Sequence, residues 1–70
     1  MSTVETSVVG DMAYEIASIE TNDGCKAGCV CPKCEWACAS VGFKSSREAI
    51  DVVIAHVKQH HANRHEHAPV

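Results

Sequence analysis

Five cysteines, at positions 25, 29, 31, 34 and 38, fall within fourteen residues of a 70-residue chain, and they constrain its fold more than any other feature. A chain this short buries a small core. Domains below about 70–80 residues usually need a disulfide, a metal or a partner to reach useful stability. The core candidates here are thin: one Trp, one Tyr, one Phe and no Leu, with much of the 46% hydrophobic content in Ala, Val and Cys. An odd number of cysteines argues against a closed disulfide framework. The opening residues Met1-Ser2-Thr3-Val4-Glu5 lack a basic segment followed by an apolar one, so a secretory signal is not expected. No apolar run approaches the roughly 18 residues of a membrane span. The expectation is a cytoplasmic chain without membrane contact, whose reduced thiols are available as metal ligands.

Cys31-Pro32-Lys33-Cys34 is the strongest motif. Two cysteines separated by two residues can chelate one ion because the chain turns tightly between them, and Pro32 fixes φ in that turn. Amides that follow the first Cys can donate to its sulfur, and the Lys33 charge favours thiolates.

The second ligand pair is sought on a helix. Ser45-Ser46-Arg47-Glu48 matches a capping box, with Ser45 as N-cap and Glu48 at N3. Ile50, Val53, Ile54 and Val57 follow at helical period, so a helix is expected from about Ser46 to His61 or Ala62, with Asn63 as its C-cap. His56 and His60 are i and i+4 and share a helix face. At 100° per residue, His60 lies about 60–70° to one side of the apolar stripe, His61 about 30° to the other, and His56 about 110° away. The pair His56 and His60 points both rings the same way and is favoured, with His61 as the alternative to His60. The expected site is one Zn2+ held by Cys31, Cys34, His56 and His60. Cys38 or Cys29 are outside alternatives, and Cys25 with Cys29 could form a redox pair. Core packing is the plainest reading of these spare thiols, and His65 and His67 read as solvated tail residues.

Upstream of the knuckle, Met12, Tyr14 and Ile16 alternate with Ala13, Glu15 and Ala17, which predicts a strand. Ile19 falls out of phase, which predicts a bulge near Ser18. Asn22-Asp23-Gly24 is a turn signal, and Glu35 to Phe43, with Trp36 and Phe43, reads as a second strand. Trp36 and Phe43 are expected to pack around the metal. The fold class is therefore α+β: a small zinc-stabilised ββα unit, a β-hairpin with a Cys-Pro-x-Cys knuckle followed by one C-terminal helix. Residues 1–10 form a flexible arm or an extra N-terminal strand, 11–62 the zinc-binding domain, and 63–70 a disordered His-containing tail.

Over about residues 29–61 this layout resembles the zinc finger with two Cys and two His ligands. Val53 stands three residues before the first His, and Phe43 follows the knuckle. The family places about twelve residues between the second Cys and the first His; here 21 lie between Cys34 and His56. The resemblance is to divergent single-finger small proteins of bacteria, archaea and their viruses, without the compact geometry of DNA-reading fingers.

The net charge of −3 is a poor footprint for nucleic acid, although residues 36–70, with three acids, four bases and all five His, are mildly basic. The expected role is a monomeric protein-interaction or regulatory module with a structural zinc. A nucleic-acid-binding finger is the first alternative, and metal handling or thiol redox chemistry the second. No nucleophile–base pair is visible, so an enzyme is not expected.

Overall fold

The computed structural model describes residues 2–64. Strands β1 (Ser2–Val9), β2 (Met12–Thr21), β3 (Gly24–Val30) and β4 (Ala37–Phe43) form one antiparallel sheet in the order β1-β2-β3-β4. A single helix, α1 (Ser46–Arg64), follows and covers one face of it, mainly over β3 and β4. The α+β class and the C-terminal helix are as the sequence implies, but the sheet has four strands where two or three were expected. The arm or extra strand at the N-terminus is β1, paired with β2 along its whole length, from Ser2 opposite Ile19 to Val9 opposite Met12. The segment after Gly24, which its glycines and cysteines made look irregular, is β3. Asn63 and Arg64 belong to α1, while His65, His67 and the rest of the expected tail lie outside the described residues.

Strand alternation explains the core. Met12, Tyr14, Ile16 and Ser18 of β2 point under the helix and are buried. Cys25, Ala27 and Cys29 do the same from β3, and Cys31 continues the phase past its end. Ala49, Ile50, Val53 and Val57 of α1 close the core from above. The expected bulge near Ser18 does not form. The β1–β2 and β2–β3 registers run evenly through Ser18, and Ile19 simply takes its turn on the uncovered face. An irregularity sits instead between β3 and β4, at Cys25 to Ala27.

The N-terminus of α1 is capped as the motif implies: the Glu48 amide donates to Ser45 Oγ at 3.2 Å. Ser40 of β4 donates to the Ala49 carbonyl at 2.9 Å, which ties the first helical turn to the sheet. In the β2–β3 turn the positive φ falls on Gly24 (124°), not on Asn22 or Asp23, and Thr21 Oγ1 accepts from the Asp23 amide.

The β1–β2 turn is a two-residue connection through Gly10 and Asp11, with Gly10 at φ 63°. A Cβ on Gly10 would also come within 2.5 Å of His61 Nε2, and His61 is buried. Gly10→Ala therefore meets both a backbone and a packing conflict. It is expected to cost about 1–3 kcal/mol in urea unfolding. Asp11→Ala, at the exposed position beside it, should stay within about 0.5 kcal/mol.

Candidate metal centre

Strands β3 and β4 are joined by residues 31–36, so the Cys-Pro-Lys-Cys knuckle is the tip of a hairpin. The Cys31 amide donates to the Trp36 carbonyl at 2.8 Å and closes the base of the loop. Above it runs the last third of α1. This meeting of hairpin tip and helix brings Cys31 Sγ, Cys34 Sγ and a ring nitrogen of His60 within 4.8 Å of one another, a group that could hold a metal ion. Cys34 Sγ and His60 Nε2 are 3.4 Å apart, although 26 residues separate them in sequence.

Local forces prepare the sulfur of Cys31. Burial alone would push its thiol up, but hydrogen bonds from the Lys33 amide, and from Cys34 and Tyr14, outweigh that and hold it below its ordinary value. A depressed thiol is the form a metal needs, since thiolate is the ligand. Cys29 is the opposite case: burial, then the nearby Cys38 and Cys31, push it up to about 11. Burial also raises Cys38. Those two thiols lie directly opposite each other on β3 and β4, and neither joins the cluster.

The expected set of four is brought together only in part. Cys31, Cys34 and His60 meet. His56 is exposed on α1 and lines a surface pocket together with Trp36 and His60, but it is not one of the converging donors. The helix angle accounts for this: a residue about 110° from the apolar stripe faces solvent. His61 is buried on the other side of His60, with Nδ1 3.4 Å from the Tyr14 hydroxyl. The Cys25–Cys29 redox pair is excluded by geometry. Four residues along a strand span about 13 Å, and a disulfide needs Cα atoms within about 6.8 Å. Cys25 and Cys29 are core residues.

Two aromatic residues frame the centre. The Trp36 ring stacks on His60, with centroids 4.1 Å apart and planes 9° apart, which fixes the imidazole plane. Tyr14 is fully buried, and its hydroxyl lies 3.6 Å from Met12 Sδ and also bonds to the Cys31 side chain. A thiolate is the stronger acceptor for its single proton, and His61 can donate to the same oxygen in the tautomer protonated at Nδ1. Burial, followed by the neighbouring Cys31 charge, raises the Tyr14 pKa, so the hydroxyl keeps that proton. The sequence reading had Tyr14 only as a strand residue. Its place in a pattern of Met12, Tyr14 and Ile16 marked it as core, and nothing in the pattern linked it to a knuckle 17 residues later.

No protein-family model, curated protein or solved structure matches the chain. What fold and site define is a small α+β protein with a two-Cys, one-His donor cluster between a hairpin tip and a helix. Among the described residues no helix is long and apolar enough to cross a membrane.

Proposed function

We propose that this chain is a small zinc-binding protein in which one structural Zn2+ clamps the β3–β4 knuckle to α1, and that the clamped domain works as a protein-interaction or regulatory module. The observation that carries this reading is the convergence of Cys31, Cys34 and His60. Two thiolates and an imidazole are a donor set that zinc favours. Zinc–ligand bonds of about 2.0–2.3 Å in a tetrahedron place neighbouring donors about 3.5 Å apart, and the 3.4 Å between Cys34 and His60 agrees with that. The donor set also supports an intracellular, reducing setting for the chain.

A structural zinc takes a fourth protein ligand, which would leave no position for substrate water. His61 follows His60 directly and is buried, although it is not among the converging donors. His65 lies outside the described residues, but it follows His60 at the four-residue gap that zinc fingers use between paired histidines. The nucleic-acid alternative is weakened by Arg47. Its guanidinium is engaged by Glu5 at 3.1 Å and Asp51 at 3.1 Å, so a leading phosphate-binding candidate already has two carboxylates.

Zinc affinity measured by competition with a chromophoric chelator tests the ligand set. His60→Ala should weaken binding at least 100-fold. His56→Ala should stay within about threefold of the parent. Whichever of His61→Ala and His65→Ala shows a loss as large as His60→Ala identifies the fourth ligand. An unchanged affinity in His60→Ala would remove the proposed centre.

A further inference from the structure

We propose that Cys29 and Cys38 form a second thiol centre, apart from the metal donors, which a low-molecular-weight disulfide of the glutathione type converts reversibly into a cross-strand disulfide that clips β3 to β4. This modification site goes beyond the function proposed above and does not depend on the metal.

The sheet sets the pair. Cys29 of β3 stands directly opposite Cys38 of β4. Opposed residues send their side chains to the same face. Cys29 is buried there and Cys38 half-buried, both as free thiols. The kind of pair follows from the loop. The Cys31 amide donates to the Trp36 carbonyl at 2.8 Å, which makes those two residues a hydrogen-bonded pair. Cys29 and Cys38, two residues further along each strand, are the next pair of that kind. Such pairs hold their Cα atoms about 5.5 Å apart. Disulfides most often have Cα atoms about 5.5–6 Å apart. The Cβ atoms must close by about 1 Å for the bond to form. Strand β4 is the edge of the sheet, so it can make that shift without disturbing a further ladder. After burial, Cys38 is the strongest influence on the Cys29 thiol, ahead of Cys31, as expected of facing sulfurs. Cys31 and Cys34 belong to the donor cluster and Cys25 stands opposite Phe43, so Cys29 and Cys38 are the remaining thiols that face each other.

Cys38 is the entry point, because it is the more exposed of the two. Its thiolate attacks one sulfur of the small disulfide, and a mixed disulfide forms on Cys38. The first small thiolate leaves and takes up the proton that Cys38 gave up. The Cys29 thiolate then attacks the Cys38 sulfur. The bond between Cys29 and Cys38 forms, and the second small thiolate leaves with the proton from Cys29. Two protein thiols are oxidised and one small disulfide is reduced to two thiols. Burial raises both protein thiols, so the thiolate fraction is low and exchange runs over hours. Thiols of that kind are also poor leaving groups, so the bond persists once made. It closes a short loop around the knuckle and restricts the unfolded chain, which is how a disulfide stabilises a small domain.

The test incubates the zinc-loaded full chain overnight with excess oxidised glutathione, blocks free thiols by alkylation and reads the intact mass. The parent should become two hydrogens lighter. Fragmentation of the joined tryptic peptides 27–33 and 34–44 should place the link between Cys29 and Cys38. Cys29→Ala should stop at a glutathione adduct on Cys38, Cys38→Ala should form no link, and Cys25→Ala should behave as the parent. The oxidised parent should unfold at a higher urea concentration than the reduced one, and dithiothreitol should reverse the shift. A parent that forms no link, a link between Cys31 and Cys34 instead, or a glutathione adduct that never resolves overturns the proposal. A link without a rise in the urea midpoint overturns the clip. Zinc content is read in the same samples. A chain without zinc that still joins Cys29 to Cys38 contradicts the metal centre and supports this site; a zinc-loaded chain that never joins them does the reverse.

Discussion

Stripping zinc from the loaded chain with a strong chelator is expected to unfold it, with loss of the far-UV helical signal in one cooperative step. The reason is a comparison of magnitudes. A core this small supplies about 3–5 kcal/mol at best. A structural zinc contributes apparent binding free energies of about 10–16 kcal/mol in zinc-finger peptides. Cys31→Ser should do the same without a chelator. Cys31 is buried, its sulfur is the one prepared by the Lys33 amide and Tyr14, and serine replaces a thiolate by a hydroxyl that zinc binds poorly. Cys38→Ser changes a half-buried thiol outside the cluster and should retain both metal and fold. If the chelated protein kept its full helical signal, the metal would not be what secures α1 to the sheet.

Replacing Tyr14 carries the second large effect. Tyr14 is among the largest fully buried side chains, wedged between the core and the knuckle. Tyr14→Ala should cost about 3–5 kcal/mol, most of the stability a core this small supplies. Tyr14→Phe separates packing from polarity. It keeps the ring and removes only the hydroxyl shared by Met12, His61 and Cys31. The Phe variant should lose about 1 kcal/mol in urea unfolding and bind zinc up to about tenfold more weakly, as loss of a hydrogen bond to a metal ligand does. Equal losses in the two variants would mean that the ring contributes nothing beyond its hydroxyl, contrary to its burial.

Much of this fold is legible from residue pattern. Ser45, Glu48 and the stripe from Ile50 to Val57 fix where α1 starts and which face it buries, because capping and period are local properties. The knuckle is equally local, since the amides that stabilise Cys31 sit two and three residues after it. Strand β3 was obscured by Gly24 and Gly28, two poor strand formers. The period-two spacing of Cys25, Ala27, Cys29 and Cys31 carried the signal, written in residues small enough to be read as loop. Ile19 looked out of phase only because a polar outer face was assumed; it stands on the uncovered face in even alternation with Ala13, Glu15 and Ala17. For the histidines, ring-to-ring spacing favoured His56 with His60, while the angle from the apolar stripe had already turned His56 to solvent. Position relative to the core outweighs spacing between ligands, because the other half of the site lies on the sheet. Tyr14 could not be assigned from sequence at all: its link to Cys31 exists only once β2 and the knuckle lie under the same helix.

The most direct test is the native mass of the chain purified under reducing conditions without chelator, taken beside that of Cys31→Ser. The account predicts one zinc ion per parent chain, retained through buffer exchange, and none in the variant. A parent that is folded with no bound metal, or a Cys31→Ser protein that holds zinc as tightly as the parent, would contradict it.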